Sequence, residues 1–564
     1  MLHLCKIIRM YCIAGSIIIM GTLSYLYANS GPRLDAILTD ELVGPPGWDH
    51  TVFNGINDKI CFQHVPCIQE TSPGKFVVVW YISAKCSERS VWVASSYKHG
   101  KEWSMPSVLI PLNLGKNPAL LQPKREPNAK LYLYSRRGVT ADGYVYESPD
   151  EGISWRVPPD GKLFEHIGEA GAPTTGLPLP TWEGNCTKRF LGLVKNPGLE
   201  LPDGSILFGG STECGKKWRC HIEVVPYGNY TGLNTSAGKW SAILNVGDFI
   251  QPSFLVHSGD YQQLRITGRA LSPSRNALVT ATSSDGGKTW GSPTPLKNVG
   301  EQGHCSITLD NGYHLVLGEE PSRFWIYLTV SKNGVDLEDV LHLQDKDHPK
   351  GAYPVVIQAS DRKVHVVYAS HGKSAKAHIR HVVLDPDVLV GKTAEGGPSI
   401  SAQPKPVKVA LNSKAEFSVT ASGSGTLYYQ WQRNTGNGLW LNLGRSATLQ
   451  TETAKEEMHG WQFRCVVTDS TGSTVSEAAT LSLSNVTEKI RLAYSGIHNR
   501  ISFIRIKGGV QFELPKALNV SLLNSRGRQI EGLKTNGNSF TVYRPAGLYF
   551  LKAGSEIHRF VIIE

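Results

Sequence analysis

Six times between residues 64 and 358 the chain repeats one short text: a polar side chain, a proline or small residue close behind it, then a brief apolar run. The copies read HVPCIQ from His64, NPALLQ from Asn117, NPGLEL from Asn196, QPSFLV from Gln251, HCSITL from His304 and YPVVIQ from Tyr353. Most begin about fifty residues after the one before, a period at which repeats mean solenoid units or propeller blades. The longer interval from 117 to 196 carries its excess in the Pro/Gly-rich stretch 157–185, which reads as a loop insertion.

Every copy is followed by a second strand-like run (KFVVVWY, KLYLYS, SILFGG, QLRITG, HLVLGE, KVHVVYA) and a third (SVWVASS, GYVYES, HIEVVP, ALVTATSS, IYLTVS, IRHVVLD). Several units then reach a tryptophan: Trp103, Trp155, Trp240 and Trp290. Four short strands per repeat, arrayed radially, predict an all-β six-bladed β-propeller over residues 31–392, with the stretch 35–44 closing the ring. The 57 glycines and 32 prolines suit such short strands and tight turns.

In a propeller the first strand of each blade lines the central channel. His64, Asn117, Asn196, Gln251, His304 and Tyr353 are therefore expected around one mouth. Asn117 and Asn196 are read as strand caps, and His64, Gln251, His304 and Tyr353 as ligand contacts, because convergent polar groups in a cleft are the default site. His64 is also suited to general acid or base work near neutral pH.

Lys and Arg exceed Asp and Glu by 58 to 48, a formal charge of +10 spread without a polybasic run. That favours acidic ligands, and no nucleic-acid motif accompanies it. No cofactor motif is present, and the cysteines lack zinc-ribbon spacing, so no metal is expected. Residues 1–30 have the layout of a secretory signal peptide: Lys6 and Arg9, an apolar run from Met10 to Tyr27, then Ala28-Asn29-Ser30. Export to the cell surface or medium permits disulfides, with Cys214 and Cys220 as a candidate pair.

Two units carry SPDEGISW (148–155) and SSDGGKTW (283–290), both fitting S-x-D-x-G-x-[ST]-W, and SSYKHGKEW (95–103) is a degenerate copy. Asp and Ser bond the turn's own backbone, Gly permits the bend, and Trp packs between sheets. These Asp boxes, with FQHVPCIQE, IQPSFL, AYPVVIQ and the blade spacing, make residues 60–385 resemble the sialidase superfamily, in particular bacterial sialidase-like proteins with BNR repeats.

That resemblance implies three arginines clamping a carboxylate, a nucleophilic tyrosine paired with a glutamate, and an acid/base aspartate. Position by position, His64 stands where the first arginine belongs, Arg269 in LRITGR is the second, and Arg323 in EEPSRFWIYL is the third. Tyr353 matches the nucleophile, Gln251 stands where its glutamate belongs, and Glu88 is the carboxylate in the loop 82–90 expected to hold the acid/base. Glu213, at the end of a second strand, and Tyr368 and Arg380, in the last blade, join His304 as substrate-binding candidates. The resemblance implies a secreted glycan-cleaving enzyme acting on acidic sugars, sialic acid or uronate. The alternatives are a non-catalytic glycan-binding propeller and a polysaccharide lyase that uses His and Tyr.

After the propeller the text changes. Residues 398–485, with Trp431 in YYQWQRN and Cys465 in FRCVVTDSTGS, resemble an immunoglobulin-like sandwich. The early strand AEFSVTAS lacks a cysteine to partner Cys465. Residues 486–564, with VSLLNSRGRQI and AGLYFLKAGSEIHRFVIIE, resemble the C-terminal sorting domain of type IX secretion. That resemblance implies outer-membrane secretion machinery as a partner.

Overall fold

The computed structural model describes residues 31–43, 63–82, 90–110 and 116–484 with internal gaps, and beyond them the strands between 489 and 562. The segment 1–30, read as a signal peptide, lies outside the described residues, as does most of the stretch 157–185. The described secondary structure is nearly all β, and among the described residues no helix is long and apolar enough to cross a membrane.

By contact density the chain divides into two units: residues 1–406, 416–450 and 460–480 form one, and 407–415, 451–459 and 481–564 the other. The first unit holds six successive sheets, each beginning with one of the repeated texts. They start at Gln63–Ser72, Lys116–Leu121, Leu199–Glu200, Phe249–Val256, His304–Thr308 and Lys350–Gln358, and each continues through antiparallel neighbours, the third ending with Thr174–Gly176 in parallel on Ala242–Gly247. The N-terminal strand Ile37–Leu42 pairs antiparallel with Ala377–Leu384, so the start of the chain completes the sixth sheet.

Burial explains why the second strands read as unbroken apolar runs. Lys75–Ile82, sequence KFVVVWYI, is buried from Phe76 onward because neighbouring sheets cover both its faces. Trp80 belongs to that core at 1% exposure, which accounts for it as packing. Farther out, Gly143–Ser148 starts to alternate, as a strand with one solvated face does.

The two Asp boxes fold alike. Ser148 Oγ donates to Asp150 Oδ1 at 2.8 Å, Asp150 accepts from Ser154 N–H at 2.8 Å, and Trp155 Nε1 donates to the Gly152 carbonyl at 3.0 Å. In the other copy the bonds are Ser283 to Asp285 at 2.8 Å, Thr289 N–H to Asp285 at 2.9 Å, and Trp290 to Gly287 at 3.1 Å. Burial pushes both carboxyls up, but the donated hydrogen bonds outweigh it and hold them below the ordinary aspartate value. The fifth sheet has a variant that the sequence pattern did not reveal. In SKNGVD, Asn333 replaces the aspartate and accepts from Val335 and Asp336 N–H at 2.9 Å each.

These turns also join sheets. A Cβ on Gly152 would lie 2.9 Å from Val77 of the first sheet, and one on Gly287 would lie 2.7 Å from Leu207 of the third. Gly100, in the degenerate copy, presses on His381 of the sixth sheet, so the first and last sheets meet. Glu70 fastens the same seam by accepting from Ser360 N–H and Oγ, each at 2.7 Å.

Cys220 is a free, buried thiol facing Ser211 across the strands, and Cys214 faces Lys217. The expected Cys214–Cys220 bridge is thereby corrected: antiparallel register places the two cysteines at different rungs. Cys465 is likewise a free, buried thiol, opposite Trp431.

Still within the first unit, Tyr428–Asn434 and Gln462–Thr468 pair antiparallel around a core of Phe417, Trp431 and Phe463. This layer docks on the loops of the six-sheet body. Tyr261 Oη donates to the Asn442 carbonyl at 2.7 Å, and Arg433 donates to the Pro202 carbonyl at 3.0 Å while stacking on Trp461. In the second unit, residues 407–410 pair in parallel with 481–484. Residues 489–562 form two four-stranded sheets there.

Candidate active site

The repeated text has a backbone consequence. Four of the inner strands slip register at the same place: between His64 and Cys67, Lys116 and Ala119, Ile250 and Ser253, and Ala352 and Val355. At each slip one residue takes a left-handed conformation: Val65 at φ 46°, Asn117 at 50°, Gln251 at 57° and Tyr353 at 54°. A proline follows each of them. Proline has no N–H to leave unpaired where the ladder breaks, which suits it to a bulge. A β-branched valine in this conformation is strained, and such strain clusters at functional sites.

Structural equivalence departs from the textual one by a residue in three units. In the first sheet the bulge residue is Val65, not His64. In the third the left-handed residue is Lys195 at φ 67°, in the turn ahead of the strand, not Asn196, and in the fifth it is Gly303, at φ 152°, just ahead of the regular strand that His304 opens. His64, Asn196 and His304 thus each stand next to the residue with positive φ, whereas Gln251 and Tyr353 are that residue.

His64 and Tyr353 come together. Their rings meet edge-on with centroids 5.5 Å apart, and both are half-buried. Tyr81 stacks on the other side of His64 at 5.8 Å. Behind Tyr353 lies Glu319, at the end of the second strand of the fifth sheet, which accepts from the Tyr353 backbone N–H at 3.0 Å. Sequence reasoning passed over Glu319, although it occupies the strand-end position that singled out Glu213.

Lys195 was also passed over, because the proline repeat drew attention to Asn196. The signal was a lone lysine closing the apolar run LGLV. Its side chain is fully buried, and the ammonium donates to Asn196 Oδ1 at 2.9 Å, the His304 carbonyl at 2.6 Å and the Pro354 carbonyl at 2.7 Å. Burial pushes its pKa down to about 8, partly offset by Cys305, Cys67 and Glu319 nearby. The neighbouring His304 is pushed down to about 3, by burial first and then by the Lys195 cation, so its imidazole is neutral.

Arg269 sits over the Trp218 ring at 5.3 Å, and its Nε has no hydrogen-bond partner among the described residues. Gln251 Oε1, buried on the adjoining strand, has none either. Buried groups left unsatisfied in this way mark a place where water or ligand completes the bonding.

Other candidates fall elsewhere. Tyr368 is fully buried in the hydrophobic core, and Arg380, 1% exposed, is ion-paired with Asp40 of the N-terminal strand. Core packing surrounds the Tyr368 ring, and the ion pair engages the Arg380 guanidinium. Glu88 and Arg323 lie outside the described residues, and Glu213 is described only as part of the strand Ile206–Cys214. Among the described residues no group of His, Cys, Asp and Glu is placed to hold a metal ion.

Comparison with known proteins gives the following. No curated protein matches the chain. Among solved structures, a Hadza microbial sialidase superposes with TM-score 0.41 at 14% identity, over 58% of this chain and 66% of that one. A lectin of Aleuria aurantia gives 0.34 at 11% identity, over 55% of this chain and 90% of that one. A family 117 glycoside hydrolase from the marine bacterium Zobellia galactanivorans gives 0.31 at 11% identity, over 62% and 91%. The BNR repeat-like domain model matches residues 74–366, more than half of the 564, and spans the Asp boxes and the inner strands from the second sheet to the sixth. The chain belongs to the family of proteins with a BNR repeat-like domain.

Proposed function

We propose that the chain is a secreted, sialidase-like glycan-cleaving enzyme acting on acidic sugars, sialic acid or uronate. The observation that carries this reading is the meeting of His64 and Tyr353, with Glu319 gripping the Tyr353 backbone. A phenol and an imidazole in contact with each other can both reach a sugar held against the pair and exchange protons with it. Arg269, with an unsatisfied guanidinium nitrogen, supplies the cation for the sugar carboxylate. Arg323 and His304 complete the substrate side in this reading.

The six sheets are the blades of a propeller, followed by an Ig-like spacer over 398–485 and a sorting-like domain over 486–564. Residues 1–30 direct export, and the tail engages outer-membrane secretion machinery. No cofactor is assigned.

One observation favours a second reading. The residue at the position of the sialidase glutamate is Gln251, an amide that cannot take a proton, while His64 and Tyr353 are adjacent. That pairing also suits a lyase, in which a base removes the proton beside the uronate carboxylate and the glycosidic oxygen leaves protonated. Incubating the protein with sialylated and uronate-containing glycans and weighing the products separates the outcomes. Free acidic sugar supports hydrolysis, and a product lighter by one water supports elimination. Binding without any cleavage supports a lectin-like role and overturns the enzyme reading.

A further inference from the structure

The inner-strand bulges leave carbonyl groups that the sheet ladders cannot satisfy, because the register slips where they point. A buried carbonyl without a donor destabilises the fold, so donors are needed wherever such bulges are kept. In the last three sheets the donors come from two adjacent residues of the third repeat. Lys195 Nζ takes the His304 carbonyl at 2.6 Å and the Pro354 carbonyl at 2.7 Å. Asn196 Nδ2 takes the Gln251 carbonyl at 2.8 Å and the Pro252 carbonyl at 3.3 Å. The Asn196 Oδ1 atom in turn accepts from Lys195, which gives the ammonium a third acceptor for its three protons.

We infer that Lys195 and Asn196 form one clamp that holds the bulges of the fourth and sixth sheets and the start of the fifth sheet's inner strand, and so positions Gln251, His304 and Tyr353 at the site. Lys195 is a positioning residue and not a nucleophile, since all its protons are engaged in the fold. Its own backbone is shaped for the task. It sits at φ 67° in a tight turn closed by Asn196 N–H to the Val194 carbonyl at 2.7 Å. Contact with the Tyr353 unit is direct, because the Pro354 carbonyl bonded by Lys195 is that of the residue after Tyr353, and Gly303 is packed closely by both Lys195 and Tyr353. The division of labour follows from reach. The long lysine stem spans to the fifth and sixth sheets, and the short amide reaches only the adjoining fourth.

The link to catalysis rests on the reading given under Proposed function, whereas the clamp itself can be tested without it. Hydrogen–deuterium exchange followed by mass spectrometry on the full chain compares wild type with Lys195→Met and Asn196→Leu. Lys195→Met is expected to speed exchange about tenfold in peptides covering 303–308 and 350–358. Asn196→Leu does so over 249–256, and both leave 63–72 and 116–121 at wild-type rates. Lys195→Arg keeps the charge but not the compact three-proton head, and it gives the same pattern more weakly should the methionine variant not fold. Unchanged exchange, or a rise spread evenly over all six inner strands, overturns the clamp. On whichever glycan the wild type cleaves, Lys195→Met lowers kcat about tenfold or more with little change in KM. Equal losses in neutral-sugar and acidic-sugar binding with kcat intact overturn the positioning role. If the wild type cleaves nothing, the enzyme reading fails and the exchange pattern alone decides the clamp.

Discussion

The imidazole of His64 meets the phenol ring of Tyr353 edge-on, with centroids 5.5 Å apart and planes inclined by 80°. The two residues are separated by almost the whole six-sheet body in sequence, and the seam between the first and last sheets brings them together. Replacing either should abolish most turnover while leaving the fold intact, because both side chains are only half-buried, Tyr353 at the margin of the main core. His64→Ala and Tyr353→Phe are each expected to lower sugar release about a hundredfold or more, the usual range for a lost acid or base. Product assays with glycan binding measured in parallel check this. Turnover within threefold of wild type in both variants would remove the pair from the mechanism.

Glu319 acts on Tyr353 through its backbone, so its loss should read as mispositioning. A hydrogen bond to a charged group contributes about 1.5–3 kcal/mol, which converts to roughly ten- to a hundredfold in kcat for Glu319→Ala. Glu319→Gln keeps an acceptor for the Tyr353 N–H and should retain most activity. Equal loss in both variants would instead point to a proton-transfer role for the carboxylate.

Arg269 should decide charge preference. Its guanidinium Nε has no hydrogen-bond partner among the described residues, and the strand it is on pairs with the one that carries Gln251. Arg269→Met is expected to weaken binding of acidic glycans by about 2 kcal/mol, or some thirtyfold, and to leave neutral glycans unaffected. Calorimetric titration with matched sialylated and desialylated glycans tests it.

The Asp-box turns should matter to stability and not to chemistry. Gly287, at φ 86°, faces Leu207 at 2.7 Å from the position a Cβ would take. Gly287→Ala should therefore destabilise the protein by about 1–2 kcal/mol from backbone strain alone, with more from overpacking. Asp285→Ala, which removes the acceptor for Thr289 N–H, should cost about 1 kcal/mol. Thermal melts and unchanged KM for both variants form the check.

Acid should weaken the seam between the first and sixth sheets. His365 Nδ1 and His381 Nε2 lie 3.0 Å apart, both fully buried, with His381 against Trp103 of the first sheet. Burial pushes His381 down to about 3 and His365, also beside His381, well below its ordinary value. Both folded-state values are depressed, so their neutral forms favour the fold fully above about pH 6.5, where the unfolded chain is neutral as well. That contribution declines as pH falls from about 6.5 toward 3, because the unfolded chain takes up protons there and the native one does not. Burial raises the Glu70 and Glu200 carboxyls, which act in the opposite sense near their own range. Comparing wild type with His381→Gln cancels those carboxyls. The variant should lose less stability across that window, measured by denaturant midpoints at pH 7, 5 and 4.

Local physics determined much of this protein in advance. Apolar runs flanked by Gly and Pro specified short strands, the fifty-residue period specified six sheets, and SPDEGISW and SSDGGKTW specified two turns whose bonds lie within eight residues each. Those features depend on neighbours along the chain, so the text contains them. His64 and Tyr353 were legible for a related reason, since the same repeat marks both.

Tertiary structure decided what depends on distant partners. The identity of the bulge residue in the first sheet, Val65 rather than His64, follows from how the inner strand registers on its neighbour. Asp40 fixed the fate of Arg380, and complete burial fixed that of Tyr368. Glu319 and Lys195 acquired their roles only when the fifth and sixth sheets closed over the third. A buried charge is defined by the groups that solvate it, and for Lys195 two of the three acceptors are carbonyls more than a hundred residues away.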